Sequence, residues 1–304
     1  MGMDVRVIGI PMDLGADRRG VDMGPSAIRY AGLAPEVEGV GHDCLDGGDL
    51  AVPKPEAMDP VSDDRFEGEA KYIAETRDVC VRLAGAVERA LDSGTFPLVL
   101  GGDHSIAIGT VGGAAQDADL GVVWFDAHGD YNTPATSPSG NVHGMSVAAM
   151  LGVGAFADED WAVAPGVDPG NVAMVGVRSL DDEERVALRD SEVAVFTMSE
   201  IDDRGLPDVA EAAFDVATDG TDGVHVSLDM DFLDPDEAPG VGTPVRGGTT
   251  YREAHAAMER VGDRIDRVRS MEVVEVNPIL DQHNRTAELA VELVASALGK
   301  RILD

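Results

Sequence analysis

One stretch of this chain indicates both its architecture and its chemistry: Leu120-Gly121-Val122-Val123-Trp124-Phe125-Asp126-Ala127-His128-Gly129-Asp130. The first six residues form a continuous apolar run, which predicts a strand that is buried on both faces, as in a parallel sheet covered by helices. The side chains that follow alternate, with Asp126, His128 and Asp130 at every second position. Alternate residues of an extended segment project to the same side, so this run is expected to aim its polar side chains into one space.

Two other predicted strands end in similar polar runs. Residues 223–228 lead into Asp229-Met230-Asp231, and residues 96–100 lead into Gly101-Gly102-Asp103-His104-Ser105. The paired glycines allow a tight turn whose backbone comes close to whatever lies in the crevice. Because ligands of open α/β sheets collect at the carboxyl ends of the strands, the three runs are expected to meet there.

These runs supply six candidate metal ligands: His104, Asp126, His128, Asp130, Asp229 and Asp231. Two imidazoles and four carboxylates without a thiolate suit Mn(II), with Fe(II) as the alternative, better than they suit structural zinc. Six side chains cannot separately saturate two six-coordinate ions, so some carboxylates should bridge ions about 3.5–4 Å apart with a water between them. Such a water ionises near neutral pH and becomes a nucleophile. A single Asp-x-Asp is expected by chance among 57 acidic residues, but this joint placement is not.

The three runs resemble the signatures of the ureohydrolases, binuclear manganese enzymes that cut urea or a related amide from guanidino compounds. The similarity begins at residues 18–29 and closes at residues 275–281, so it spans nearly the whole chain. Residues 132–145 resemble the arginase loop, whereas agmatinases typically have a Thr-Tyr element and a differently spaced His-Gly. The resemblance therefore implies the arginase branch and hydrolysis of L-arginine to L-ornithine and urea.

The resemblance also implies a role for each site residue. Asp126 and Asp229 would bridge two manganese ions, with His104 and Asp130 completing one site and His128 and Asp231 the other. His143 would relay protons, Glu275 would pair with the guanidinium group, and Asp130 could pass on a proton of the nucleophile. The side chains expected to bind the rest of the substrate are Asn132, Ser137 and Ser139 for the α-carboxylate, Asp181 and Glu184 for the α-amino group, and also Asn141 and Thr243.

These roles are chemically reasonable in their own right. A guanidinium group keeps its proton above pH 12 and is stabilised by resonance, so its hydrolysis needs an activated water and an anion that holds the planar fork. The leaving amine must then gain a proton, and a histidine with an ordinary pKa of about 6.5 is suited to supply it.

Three alternatives stay open at this point. The first is a ureohydrolase for another guanidino substrate, such as agmatine or a guanidino acid. The second is a metal-binding but catalytically silent subunit, against which the presence of all six ligands together with His143 and Glu275 argues. The third is deacetylation on the same general fold, which is disfavoured because one-metal deacetylases lack the bridging set.

The net charge of -34, from 57 acidic and 23 basic residues, bounds the partners and the setting. Nucleic acid and anionic membrane surfaces would be repelled, whereas a small cationic substrate and divalent metals would be attracted. Self-repulsion of this size favours a cytoplasm that accumulates salt, with an ordinary acidic enzyme as the alternative. The first residues lack the layout of a signal peptide, no apolar run approaches 18 residues, and two cysteines fit reduced thiols, so a soluble cytoplasmic protein is expected.

Length and patterning predict one α/β domain over residues 1–304, a three-layer α/β/α arrangement with a central parallel sheet of about eight strands. The acidic segment 51–69 is predicted to be an excursion of the chain between secondary-structure elements rather than a linker between domains. The family resemblance suggests a homotrimer or hexamer. Among the remaining histidines, His225 shares the parity of Asp229 but lies about 13 Å back along its strand. The predicted strands are 5–10, 42–45, 98–101, 122–125, 172–177, 193–196, 224–228 and 272–276. The predicted helices include 69–91, 251–260 and 285–298.

Overall fold

The structure is a computed structural model that describes residues 2–16, 19–55, 60 and 66–301. Asp17 and Arg18, at the start of the N-terminal motif, and much of the predicted excursion over 51–69 lie outside the described residues. The strands are β1 (Asp4–Ile10), β2 (Asp43–Asp49), β3 (Phe96–Gly101), β4 (Leu120–Phe125), β5 (Val172–Val177), β6 (Ala194–Thr197), β7 (Gly223–Asp229) and β8 (Val268–Val274). The α-helices are α1 (Gly24–Tyr30), α2 (Leu33–Gly39), α3 (Ile73–Asp92), α4 (Ala107–Ala114), α5 (Ser146–Met150), α6 (Asp182–Asp190), α7 (Met198–Arg204), α8 (Leu206–Thr218), α9 (Tyr251–Asp263) and α10 (Arg285–Ala297).

The eight strands form one sheet in the order β2-β1-β3-β8-β7-β4-β5-β6, and every neighbouring pair is parallel. The predicted α/β class and the parallel sheet of about eight strands are therefore confirmed. The four strands that carry the polar runs and Glu275 are contiguous at the centre of the sheet, as β3-β8-β7-β4. Their carboxyl ends consequently lie side by side, although 172 residues separate the start of β3 from the start of β8 along the chain, from Phe96 to Val268.

Alternate strand residues pack into two separate hydrophobic cores, one on each face of the sheet. Val123 and Phe125 of β4 pack with residues of α1, α2, α8, α9 and α10. Val122 and Trp124 pack on the opposite side with residues of α3, α4 and α5. This is the three-layer arrangement, and it explains why β4 is apolar at every position, since both of its faces are covered. No helix in the described part of the chain combines the length and apolar character needed to cross a membrane.

Two predicted boundaries were wrong for reasons that bear on the site. The strand predicted at 272–276 runs instead from Val268 to Val274, because Glu275 has a φ of 65° and leaves the extended conformation. The helix predicted from residue 69 begins at Ile73, after Tyr72 in a left-handed conformation. Backbone amides of Glu69 and Lys71 instead donate to the carbonyls of Pro134 and Gly140, which ties this approach to the loop after β4.

Candidate active site

The metal-ligand candidates lie in turns that directly follow β3, β4 and β7. Asp126 and Asp229 each accept a hydrogen bond from the backbone N–H two residues later, at 2.6 and 2.7 Å. Asp103 does the same for Ser105 at 3.1 Å. The sequence suggested an extended segment. The alternate side chains converge instead through aspartate turns and short 3-10 turns. The predicted convergence of the alternating side chains is observed, but the extended conformation predicted for them was wrong.

The six candidates come together in two adjoining groups. His104 Nδ1 lies 3.1 Å from Asp126 Oδ2, 3.2 Å from Asp130 Oδ2 and 3.1 Å from Asp229 Oδ2. His128 Nδ1 lies 3.5 Å from Asp126 Oδ1 and 3.0 Å from Asp231 Oδ2. Within the triads His104, Asp126, Asp130 and Asp126, His128, Asp231, the ligand atoms all lie within 4.8 Å of one another. Asp126 belongs to both groups, as a bridging carboxylate must.

The donor set fits metal ions and is hard to explain without them. Asp126, Asp130, Asp229 and Asp231 are all buried. Burial, together with the neighbouring carboxylates, raises the pKa of Asp130 to about 6 and that of Asp229 well above its ordinary value. Although three carboxylates surround it, His104 Nδ1 makes no hydrogen bond among the described residues. Clustered buried carboxylates around an unpaired imidazole nitrogen are stabilised when cations lie between them.

His143 and Glu275 form a pair beside the ligand candidates, in which Glu275 is buried and His143 is half-buried. Glu275 Oε1 accepts a hydrogen bond from the backbone N–H of His104 at 3.0 Å and lies 3.0 Å from His143 Nδ1. Burial lowers the pKa of His143, but the hydrogen bond and charge of Glu275, with Asp130 and Asp103 nearby, outweigh it and raise that pKa to about 9. Glu275 Oε2 is buried with no hydrogen-bond partner among the described residues. The left-handed φ of Glu275 turns this side chain toward the ligands, and such strain concentrates at functional sites.

A cavity of about 120 Å³ opens next to the ligands. Its lining contains all seven residues that were predicted to bind substrate, together with His143 and three of the ligand candidates. These residues are Asn132, Ser137, Ser139, Asn141, Asp181, Glu184 and Thr243, with His128, Asp130, Asp229, His143 and Gly144. Glu275 is not part of the lining, but it contacts His143, which is.

Neutral hydrogen-bonding groups form one end of the cavity. Ser137 Oγ accepts from the N–H of Gly140 at 3.0 Å, and Ser139 Oγ accepts from the N–H of Asn141 at 3.2 Å. The two hydroxyl oxygens lie 3.5 Å apart, so one O–H group can donate to the other, and the second remains available as a donor to the cavity. Lys71 Nζ donates to Asn141 Oδ1 at 3.3 Å, which places one of the few lysines of the chain behind this end.

Carboxylates form another part of the cavity lining, in contact with the neutral groups. Asp181 Oδ2 accepts from Asn132 Nδ2 at 3.0 Å. Glu184 accepts from the backbone N–H groups of Tyr131 and Asp181 at 2.9 and 3.1 Å, and burial raises its pKa to about 7. Thr243 lines the cavity as predicted, but its hydroxyl also donates to Asp231 Oδ2 at 3.0 Å. Thr243 thus connects the cavity wall to a metal-ligand candidate.

Sequence reasoning missed Arg178, which holds two parts of the site together. Its half-buried guanidinium donates to the carbonyls of Asp231, Phe232 and Leu233, in the turn after β7, and to the carbonyl of Val245, two residues after Thr243. Nothing in the local pattern around Arg178 indicates this role, because the carbonyls of these two segments lie more than 50 residues away along the chain. A further hydrogen bond goes to the nearby carbonyl of Gly176 at 3.3 Å.

Replacing Arg178 by Lys is expected to destabilise the protein by about 2 kcal/mol or more. A single ammonium group cannot reproduce a planar fork that reaches both segments, so buried carbonyls would lose their donors. Chemical denaturation of the metal-free protein would measure the change, with the exposed Arg185→Lys as the matched control, whose partners Asp182 and Leu180 belong to its own helix start. Equal stability of the two variants would contradict the role of Arg178.

Comparison with known proteins agrees with the geometry over the whole chain. The arginase family profile matches residues 3–299. The arginase of Bacillus caldovelox is 49% identical over 301 residues, which cover 98% of this chain and 99% of that protein. The arginase of Bacillus subtilis strain 168 is 49% identical over 305 residues, which cover both chains completely. The native structure of the Bacillus caldovelox arginase at pH 5.6 superposes with a TM-score of 0.92 at 47% identity, covering 99% of this chain and 100% of that one.

The family profile matches nearly the whole chain, and the two arginases are about half identical to it over their full length. Both findings assign the chain to the same family. Members of this family are binuclear metal hydrolases that act on guanidino groups, and the two His/Asp groups around Asp126 are the corresponding cluster here. The chain belongs to the arginase family.

Proposed function

We propose that the protein hydrolyses L-arginine to L-ornithine and urea with two Mn(II) ions. One observation carries the proposal: a single cavity is lined by three of the metal-ligand candidates, by neutral hydrogen-bonding groups and by the carboxylates of Asp181 and Glu184. Neutral donors suit an acceptor-only carboxylate, and carboxylates suit an ammonium group. L-Arginine carries both groups at one end and the guanidinium at the other.

Asp126 and Asp229 would bridge the two ions, with His104 and Asp130 on one and His128 and Asp231 on the other. When bound, the ions would supply Lewis acidity that lowers the pKa of a shared water toward neutrality. The oxygen-rich donor set supports Mn(II), with Fe(II) as the alternative. Asp130 lines the cavity beside the metal-ligand candidates, which supports a role for its carboxylate in accepting a proton from the nucleophile.

His143 and Glu275 would handle the proton and the guanidinium. An ionised Glu275 is an acceptor only, so the contact at 3.0 Å assigns the proton to His143 Nδ1. The other ring nitrogen of His143 can then take or give a proton at the cavity, which suits protonation of the leaving amine. The family resemblance supports a role for Glu275 in pairing with the guanidinium, and its Oε2 has no hydrogen-bond partner among the described residues. Because Glu275 does not line the cavity, a guanidinium N–H would reach Oε2 only after the His143–Glu275 pair rearranges.

The direct test is urea release by the metal-loaded protein from L-arginine, from agmatine and from a guanidino acid without an α-amino group. We expect L-arginine to give the highest kcat/KM, and Mn(II) to give more activity than Fe(II). Preference for agmatine would move the function to an agmatinase. No urea from any substrate, with two ions bound, would favour the catalytically silent alternative.

We also propose that residues 1–304 form a single catalytic domain and that it assembles as a homotrimer or hexamer. One sheet holding both halves of the site and the family match over residues 3–299 support the single domain. The assembly rests on the family resemblance alone, and the mass of the native protein in solution would measure it.

The charge of -34 supports a salt-accumulating cytoplasm as the setting. We expect the thermal midpoint and the activity to rise between about 0.1 M and above 1 M KCl, because the screening length falls from about 10 Å to about 3 Å and repulsion between surface acids falls with it. Sucrose at matched osmolality is the control, since it excludes itself from the surface without screening charge. A midpoint that is flat or falling in KCl would remove the halophilic interpretation.

A further inference from the structure

A row of buried polar side chains lies below the metal-ligand candidates, inside the sheet itself. Ser227 of β7 pairs in register with Glu272 of β8, and His225 pairs with Ser270. All four side chains are completely buried. Polar groups at the centre of a parallel sheet are costly unless they are paired, so this row needs an explanation that packing does not supply.

The row reaches a metal-ligand candidate through one hydroxyl group. Ser227 Oγ donates to Glu272 Oε1 at 2.8 Å and lies 2.7 Å from His104 Nε2. The ring of His104 is stacked on Trp124 with centroids 4.0 Å apart and planes inclined by 8°, so it has one orientation. Farther along the row, His225 Nε2 lies 3.4 Å from the same Glu272 oxygen, and His225 Nδ1 lies 2.8 Å from Ser270 Oγ.

The single proton of the hydroxyl decides the tautomer of His104. Ser227 gives its proton to the carboxylate of Glu272, so toward His104 the hydroxyl oxygen can only accept. His104 Nε2 must then carry a proton, and in the neutral imidazole Nδ1 has a free lone pair. Nδ1 is the atom that faces Asp126, Asp130 and Asp229, and among the described residues it makes no hydrogen bond.

We propose that Ser227 and Glu272 are positioning residues that hold His104 as the Nε2–H tautomer and thereby set the affinity of the metal ion that His104 binds. Partners of this kind fix the ring and make the ligand more basic, and their loss typically weakens metal binding about 10–100-fold. This inference rests on the proposed metal centre and adds two residues to it that do not touch the metal or the substrate.

The test is Mn(II) binding to chelator-treated protein, measured by calorimetry and by the electron paramagnetic resonance signal of free Mn(II). We expect Ser227→Ala and Glu272→Gln each to weaken one of two binding events about 10–100-fold and to leave the other nearly unchanged. In Glu272→Gln the new amide can donate to Ser227, which would turn the hydroxyl proton toward His104 and place the imidazole proton on Nδ1, where it competes with the metal.

Ser270→Ala is the matched control, because it removes a buried hydroxyl from the same row that reaches His225 and not His104. Near-native Mn(II) affinity is expected for this variant. If Ser270→Ala weakens binding as much as Ser227→Ala, or if neither Ser227→Ala nor Glu272→Gln weakens it, the positioning role is overturned. A wild-type protein that binds no Mn(II) would overturn the proposed metal centre itself. The experiment therefore distinguishes a wrong positioning role from a wrong metal centre.

A second measurement needs no variant and therefore does not depend on their folding. In wild-type protein labelled with ¹⁵N-histidine and loaded with diamagnetic Zn(II), His104 should show a slowly exchanging proton on Nε2. A proton on Nδ1, or rapid exchange at Nε2, would contradict the proposal.

Discussion

Replacing Asp126 by Asn is expected to empty both metal sites and to lower kcat/KM for L-arginine by about a thousandfold or more. The two carboxylate oxygens of Asp126 face different histidines, with Oδ2 3.1 Å from His104 Nδ1 and Oδ1 3.5 Å from His128 Nδ1. An amide offers one weaker oxygen ligand, so both ions lose a donor at once. Metal analysis after gel filtration would measure the content per chain.

The matched variant is His104→Ala, because His104 belongs to only one of the two groups. It should retain close to one ion per chain, since a terminal imidazole serves a single site. Asp229→Asn is expected to behave as Asp126→Asn does. Two tightly held ions per chain in Asp126→Asn would exclude the bridging assignment.

Replacing Asn132 and Ser139 together by Ala is expected to remove most of the preference for L-arginine over agmatine, which should be at least about tenfold in the wild type. Hydrogen bonds to a charged group contribute about 1.5–3 kcal/mol each, and agmatine has no carboxylate to receive them. The double variant should therefore lose kcat/KM for L-arginine and keep its low rate with agmatine. Steady-state kinetics with both substrates would measure the change.

Ser139→Ala alone measures the carboxylate effect without disturbing the hydrogen bond of 3.0 Å between Asn132 and Asp181, and Asp181→Asn is the control, because the amino group that both substrates carry is expected at Asp181. This substitution should weaken both substrates by a similar factor. If the double variant instead lowers kcat/KM equally for both substrates, the loop does not recognise the carboxylate. A wild-type preference for agmatine would lead to the same conclusion.

Much of the fold could be predicted because burial on both faces leaves a clear record in the sequence. Residues of β4 are apolar at every position, which is typical of a strand between two helical layers. Edge strand β2 was predicted only as far as residue 45, although it extends to Asp49, because it is largely exposed and its second half is polar and glycine-rich. The end of β8 was also misplaced, since a left-handed residue at Glu275 has no local signal when it is not glycine.

The sequence by itself determined the types and spacing of the six ligands and of the cavity residues, because each short motif places its own side chains through local turns. It also determined the parallel sheet, through the apolar runs and the long helices between them. Only the tertiary structure decided which strands are neighbours, because the order β3-β8-β7-β4 depends on contacts between segments far apart in the chain. That order places Ser227 beside Glu272 and brings Ser227 into contact with His104. It also places the backbone carbonyl of Asp231 within hydrogen-bonding distance of Arg178. These contacts leave no periodic pattern in the sequence, since each depends on a single residue meeting another across the sheet.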